Sequence, residues 1–230
     1  MTKKTETRII PEETSAKFLA QHLKPYEFVS GLIKGKKILE VGCGDGYGTS
    51  YLSGFASQAV GVDYDQASIG LAKTKYRAKN LDFSCMDATD LSFEDDSFDA
   101  VCSFQVIEHI PEELLPKYLK EIKRVLKKDG VFYLTTLNLA HVMKSPLTYK
   151  KHPAHCKEFR LVELKELLSG EFKIIEVYGL QLTLKHRLFQ RLKKIGIKSK
   201  AFYSRITTRD FKFTQEDPQK ASDFLIVMGK

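Results

Sequence analysis

Apolar residues recur along the chain in two rhythms, one helical and one strand-like, and their alternation sets the predicted architecture. Residues 14–33 carry Phe18, Leu19 and Leu23 at helical spacing behind Thr14 and Ser15, either of which can cap a helix start. Pro25 interrupts this run, so two short helices are predicted, with Tyr26, Phe28, Val29 and Leu32 turned inward. The unbroken run Ile38-Leu39-Glu40-Val41, stopped by glycines, reads as a buried strand. Helix is predicted at 47–55 and 66–78, and strand at 59–63, 81–86 and 98–104. Pro111 followed by Glu112 and Glu113 predicts a helix start, because proline fits the first turn and acids suit the positive end of the dipole. Leu115, Leu119, Ile122 and Leu126 keep the helical period until Asp129-Gly130. Further strands are predicted at 131–136, 174–178 and 223–228, with a helix from Leu161 between the first two. Such alternation gives a doubly wound α/β fold with a mostly parallel sheet covered on both faces.

Composition narrows the class without changing the fold. Hydrophobic residues at 43% and charged residues at 29% are ordinary for a globular protein, and 230 residues suit one domain better than two. The first 15 residues are polar and no apolar run could span a bilayer, so neither a signal peptide nor a transmembrane segment is expected. Cys43, Cys85, Cys102 and Cys156 are scattered, with no CxxC pair, which argues against structural zinc and a disulfide scaffold and for a cytoplasmic location. The net charge of +8 is concentrated at 185–200, where seven Lys or Arg stand without an acid. That bias points to an anionic partner on the C-terminal part. Leu184, Leu188, Leu192 and Ile195 repeat at helical spacing there, with Lys185, Arg187, Arg191, Lys193 and Lys194 on the other faces. A solvated helix packed by its leucines is the simplest reading; a dock for a phosphorylated, lipid-linked or nucleic-acid substrate is the functional one.

The candidate chemistry starts at Glu40-Val41-Gly42-Cys43-Gly44-Asp45-Gly46-Tyr47-Gly48. Gly42, Gly44 and Gly46 allow a tight strand-to-helix turn and close approach of a ligand to bare backbone. The dinucleotide spacing G-x-G-x-x-G fails, because Tyr47 stands at its third glycine. Asp63 ends the next predicted strand, where a carboxylate can accept from both hydroxyls of a ribose; a helix cap is the alternative role. Asp87-Ala88 follows the third strand, where a carboxylate can accept from an adenine amino group, or form a turn.

ILEVGCGDGYGT, VGVDYD, CMDATDL, FDAVCSFQVIEHI and EIKRVLKKDGVFYLTT, in this order and spacing, resemble the successive motifs of class I S-adenosylmethionine-dependent methyltransferases. The resemblance spans residues 36–136 and extends more loosely to TRIIPEE and HPAHCKEFRLVELKELL. It implies a Rossmann-like sheet of seven strands whose last, 223–228, is antiparallel. It implies S-adenosylmethionine as cofactor, with Glu40 and the loop of Gly42, Gly44 and Gly46 at the methionine moiety, Asp63 and Tyr64 at the ribose, and Asp87 and Ala88 at the adenine. Ser103, Phe104 and Gln105 would line the methionine end and face the acceptor. Residues 1–35 would form an N-terminal helical cap, 36–136 the cofactor-binding core, and 137–230 the acceptor-side segment and C-terminal strands.

The expected activity is methyl transfer to a small-molecule acceptor, with an oxygen slightly preferred because His109 and His155 are available as general bases. Glu108-His109 with the distant His155 also resembles the E-x-x-E-H pattern of metal-dependent O-methyltransferases. Gln105 stands where the first glutamate would be, and a neutral amide binds a cation more weakly, so no metal is expected. The alternatives left open are an RNA methyltransferase using the basic face, a nucleotide-binding oxidoreductase, and a non-catalytic cofactor-binding module.

Overall fold

In the computed structural model the chain forms α1 (Ala16–Ser30), β1 (Lys37–Val41), α2 (Tyr47–Ser53), β2 (Gln58–Asp63), α3 (Gln66–Lys75), β3 (Leu81–Cys85) and β4 (Phe98–Phe104). It continues through α4 (Leu115–Val125), β5 (Leu126–Leu137), α5 (Leu139–Val142), α6 (Leu161–Ser169), β6 (Lys173–Leu182), α7 (Leu184–Lys194), β7 (Phe211–Thr214) and β8 (Asp223–Gly229). The structure describes residues 13–143, 145–194, 196 and 206–230; most of the TRIIPEE segment, Ile195 and 197–200 of the basic run lie outside the described residues.

The strands make one sheet in the order β3-β2-β1-β4-β5-β8-β6-β7. β1 to β5 are mutually parallel, β8 runs antiparallel to β5 and β6, and β7 antiparallel to β6. β1 is buried from its second residue on and β8 through its first six, which is why both read as unbroken apolar runs. Alternate side chains feed two core layers. Leu39, Val101 and Leu134 meet Tyr118, Leu119 and Ile122 of α4 and Leu164 and Leu168 of α6. On the other face Ile38, Ala100 and Tyr133 meet Tyr26 and Val29 of α1 and Leu52 of α2. Each fully buried aliphatic side chain contributes about 1.5–3 kcal/mol, so these faces, more than helix propensity, fix the helices on the sheet.

Five expectations are corrected. α1 is a single helix that runs through Pro25. Proline leaves the Gln21 carbonyl without its helical N–H, but Pro25, Tyr26 and Val29 are buried together, and that packing holds the helix in one piece. Leu32, expected inside, is 47% exposed in the turn beyond it. The sheet has eight strands, not seven: Phe211–Thr214 adds an edge strand beside β6, too short for its own periodicity to reveal. Glu112–Leu114 form only a 3₁₀ turn, and the α-helix starts at Leu115 with Pro116 in its first turn, while 126–130 already belong to β5. Finally, Leu184 and Leu188 of the expected leucine stripe are exposed, and among the described side chains of α7 the buried one is His186, 3.3 Å from Asp210.

Strand order reverses between β1 and β4, so the crevice of the fold opens at their carboxyl ends. No described helix is long and apolar enough to cross a membrane.

Candidate active site

The loop after β1 is locked by its own backbone and by its neighbours. Gly42 and Cys43 both donate to the Val62 carbonyl, at 2.8 and 3.0 Å, which ties the loop to the end of β2. Gly42 has φ +75° and Gly46 φ +80°, in the left-handed region that favours glycine. A Cβ at Gly42 would stand 2.4 Å from Val106, and one at Gly46 2.7 Å from Ala72 and the Phe83 ring. This close packing lets backbone amides, instead of side chains, line the mouth of the crevice.

Asp63 ends β2 beside this loop. Its Oδ2 accepts from the Gly44 N–H at 2.9 Å and its Oδ1 from the Asp65 N–H at 2.9 Å. The cap of α3 is Asp65, which accepts from Ala67 and Ser68, so Asp63 is not the helix cap. Each carboxylate oxygen has two acceptor sites, and one on each remains after the backbone bonds. Tyr64, 73% exposed, lies next to it. Asp87 follows β3; its Oδ1 accepts from the Thr89 N–H at 2.7 Å, so the turn role foreseen for it is real, and its side chain is exposed. Ala88 packs against the main core.

Glu40 and Ser103 sit deeper than the resemblance implied. Glu40 is 1% exposed, and its oxygens accept from the Tyr26 and Thr49 hydroxyls, both at 2.5 Å. Burial pushes its carboxyl up to about 7. It therefore braces β1 against α1 and α2. Ser103 is wholly buried, and its Oγ accepts from the Tyr118 hydroxyl at 2.7 Å, so its side chain faces α4 and not the crevice. Phe104 stacks edge-on against Tyr26, with centroids 4.9 Å apart. Gln105 is held at φ +57°, an uncommon conformation for a side-chain-bearing residue, and its amide donates to Thr135 Oγ1 at 3.3 Å.

An aromatic cleft opens beside Gln105. Tyr26, Tyr47, Phe104, Leu180, Phe213 and Asp223 line it, around about 20 Å³ of free space. Asp223 accepts from Gln21 and Ser222, both at 2.6 Å, and burial holds its carboxyl above the usual carboxylate range. Sequence reasoning passed over Gln21 and Asp223, because their pairing joins positions 202 residues apart.

The structure brings both predicted histidines together with Glu108. The ligating atoms of Glu108, His109 and His155 lie within 4.8 Å of one another, and the two rings are 4.9 Å apart. Glu108 is buried, accepts from the Thr136 hydroxyl at 3.0 Å, and is raised to about 8 by burial. His109 Nδ1 lies 2.9 Å from the Ala154 carbonyl, which can only accept, so that nitrogen carries the proton. His155 Nδ1 lies 2.6 Å from Glu158 Oε1. Burial depresses both imidazoles, His155 to about 4, so both are neutral near pH 7. Cys156 and Lys157 donate to the Glu108 carbonyl, which fixes the 150s connection over the end of β4.

Residues 39–134 match the family described as a methyltransferase domain. A Mycolicibacterium smegmatis protein named as a probable S-adenosylmethionine-dependent methyltransferase is 31% identical over 163 residues, covering 69% of this chain and 60% of that protein. A Mycobacterium ulcerans protein named as a probable phthiotriol/phenolphthiotriol dimycocerosates methyltransferase is 39% identical over 102 residues, 44% of this chain and 39% of its own length. The chain thus spans about 60% of the length of the first of these curated relatives, and less of the second. Among solved structures, a Haloferax volcanii methyltransferase in complex with its Trm112 activator superposes with a TM-score of 0.66 at 20% identity, over 91% of this chain and 90% of its own. An S-adenosylmethionine-dependent methyltransferase of Mesorhizobium loti gives 0.63 at 13% identity, over 90% and 98%. At those identities the likeness is one of fold.

Proposed function

From the methyltransferase-domain match over residues 39–134 and the M. smegmatis relative, we propose that the chain is a class I S-adenosylmethionine-dependent methyltransferase that transfers a methyl group to a hydroxyl of a small, largely apolar acceptor. The observation that carries the donor half is Asp63: a carboxylate aimed by two backbone amides at the strand-order switch point, with one acceptor site left on each oxygen. In this reading Asp63 takes the two ribose hydroxyls, the amides of the 42–46 loop hold the methionine end, and the exposed Asp87 receives the adenine amino group. Tyr64 and Ala88 flank the nucleoside, while Phe104 and Gln105 separate donor from acceptor. When bound, the donor supplies a methyl group on a sulfonium, already reactive, so holding the two partners in line provides much of the rate.

The acceptor half is supported by the aromatic cleft and by the M. ulcerans relative, whose printed substrates are named as alcohols. Tyr26, Tyr47, Phe104 and Phe213 offer such an alcohol an apolar border; the space between them, about 20 Å³, holds no more than a small group of it. Its hydroxyl meets the end of β4, where Glu108, His109 and His155 cluster and where its O–H bond breaks. The donor would supply its methyl group to that oxygen, and the hydroxyl proton would leave to water beside this cluster.

Labelled donor incubated with the protein and fractionated extract tests this reading. Label is expected in apolar small molecules as an O-methyl group. Label confined to RNA or protein, or a protein that binds S-adenosylhomocysteine and transfers no label to any fraction, would overturn it.

A further inference from the structure

The connections that leave the carboxyl ends of β5 and β6 carry no acid. Residues 138–157 contain four lysines and residues 183–209 nine Lys or Arg, with no Asp or Glu in either. The ends of β1, β2 and β3, by contrast, lead into Asp45, Asp63, Asp65 and Asp87. β6 is antiparallel to β8 and β8 to β5, so β6 points the same way as β5. α7 therefore leaves β6 at the edge of the sheet where the crevice opens, four residues after Leu180, which lines the aromatic cleft.

Apolar side chains stand exposed on the same two connections. Leu184 is 73% exposed and Leu188 59%, one turn apart on α7, and Arg191 is exposed a turn further along that face. His186, buried beside Asp210, ties the opposite side of the helix to the protein. Leu147, between β5 and α6, is 96% exposed and is followed by the exposed Lys150 and Lys151.

We propose that α7 docks this edge of the protein on the anionic surface of a lipid bilayer, from which the apolar acceptor is taken; the docking rests on the acceptor reading above for its use and not for its existence. The pairing of leucines with cations carries the choice of partner. A nucleic acid would use the cations and leave Leu184 and Leu188 in water, whereas a bilayer receives the leucines below its headgroups and the cations at its phosphates. The size of the cleft agrees: about 20 Å³ admits only a small group, so the body of an apolar acceptor stays outside it and needs an apolar host. One helix of 11 residues gives reversible attachment, not insertion.

Flotation of the full chain with vesicles tests this, comparing phosphatidylcholine alone with an equal mixture of phosphatidylcholine and phosphatidylglycerol. Binding is expected to the mixed vesicles, falling steeply with added salt, and only weakly to the neutral ones. Leu184→Ser combined with Leu188→Ser should weaken it roughly 10-fold, and Arg191→Gln roughly 5-fold. Affinity for S-adenosylhomocysteine is the folding control and should be unchanged in both variants. Equal binding to the two vesicle types, or binding to the mixed vesicles that survives loss of both leucines, would overturn the proposal. Binding of poly(U) RNA with no vesicle binding would overturn it too, and assign the cations to nucleic acid. Vesicle binding is read with neither donor nor acceptor present, so its failure leaves the methyl-transfer reading intact. Label confined to RNA in the extract assay overturns that reading and leaves the docking standing.

Discussion

Replacing Asp63 with alanine removes two acceptors at once from the end of β2, and the structure separates what each loss should cost. Both oxygens already receive a backbone N–H, from Gly44 and Asp65 at 2.9 Å. Gly44, Asp63 and Asp65 are each only partly buried, so water can replace those bonds in the free protein. Stability should then fall by about 1–2 kcal/mol. Donor affinity should fall further, because two ribose hydroxyls lose a charged acceptor inside a closed site. Charge-assisted bonds are worth about 1.5–3 kcal/mol each, and partial rehydration brings the net loss to about 2–3 kcal/mol, roughly 30- to 150-fold in Kd. Calorimetric titration with S-adenosylhomocysteine measures it, alongside an analogue lacking both ribose hydroxyls. Wild type and variant should bind that analogue nearly alike, since a double-mutant cycle isolates the coupling between the carboxylate and the hydroxyls. Asp63→Asn should fall between the two. A folded Asp63→Ala variant that binds S-adenosylhomocysteine within twofold of wild type would refute the ribose assignment.

Three further outcomes are expected. Gly46→Ala combines a left-handed backbone with a Cβ 2.7 Å from Ala72 and Phe83, so urea unfolding should show a loss of about 2–4 kcal/mol, whereas Gly70→Ala, in open space on α3, should gain about 0.5–1 kcal/mol; equal effects would refute the packing argument. Glu40 is raised by burial to about 7 from an ordinary 4.5, so the folded state holds that proton more tightly than the unfolded chain does. The stability this provides is complete below pH 4.5 and lost as pH rises through 7, up to about 3 kcal/mol; Glu40→Gln should flatten that slope between pH 5 and 8, and parallel slopes would sink the idea. Since Tyr47 occupies the third glycine position of the dinucleotide pattern, S-adenosylhomocysteine should raise the melting temperature where equal concentrations of NAD and NADP do not; the reverse result would overturn the cofactor assignment.

What was legible in the sequence and what was not divide along a physical line. Five parallel strands were visible because burial on both faces forces unbroken apolar runs, as in Ile38-Leu39-Glu40-Val41 and in Phe98–Phe104. The loop at 42–46 and the acids at 63 and 87 were visible because a strand-to-helix turn needs glycines and strand ends put carboxylates at the crevice. Their positions depend on local chain geometry, which short sequence windows carry. α1 and β7 escaped for the opposite reason. Pro25 predicts a break on local grounds, and only the packing of Tyr26 and Val29 against the sheet keeps the helix whole. Phe211–Thr214 becomes a strand because β6 offers it an edge, not because four residues carry a strand pattern.

The same line runs through the site, and it decides how Glu40 and Glu108 differ from Asp63. All three are acids near strand ends, and nothing in their flanking residues separates them by depth. Asp63 is partly exposed because the chain turns away after it; Glu40 is sealed because Tyr26 of α1 and Thr49 of α2 close over it; Glu108 is sealed because the 150s connection docks on its own carbonyl through Cys156 and Lys157. A buried carboxylate needs compensation, and each has found a different kind. Glu40 has two hydroxyl donors at 2.5 Å, one on each oxygen. Glu108 has one hydroxyl donor, from Thr136, and two neutral imidazoles as its nearest ligating neighbours, neither of which has spare positive charge to offer. Both carboxyls are accordingly raised by burial, Glu40 to about 7 and Glu108 to about 8, and depth, which neither motif reveals, sets them apart from an ordinary acid.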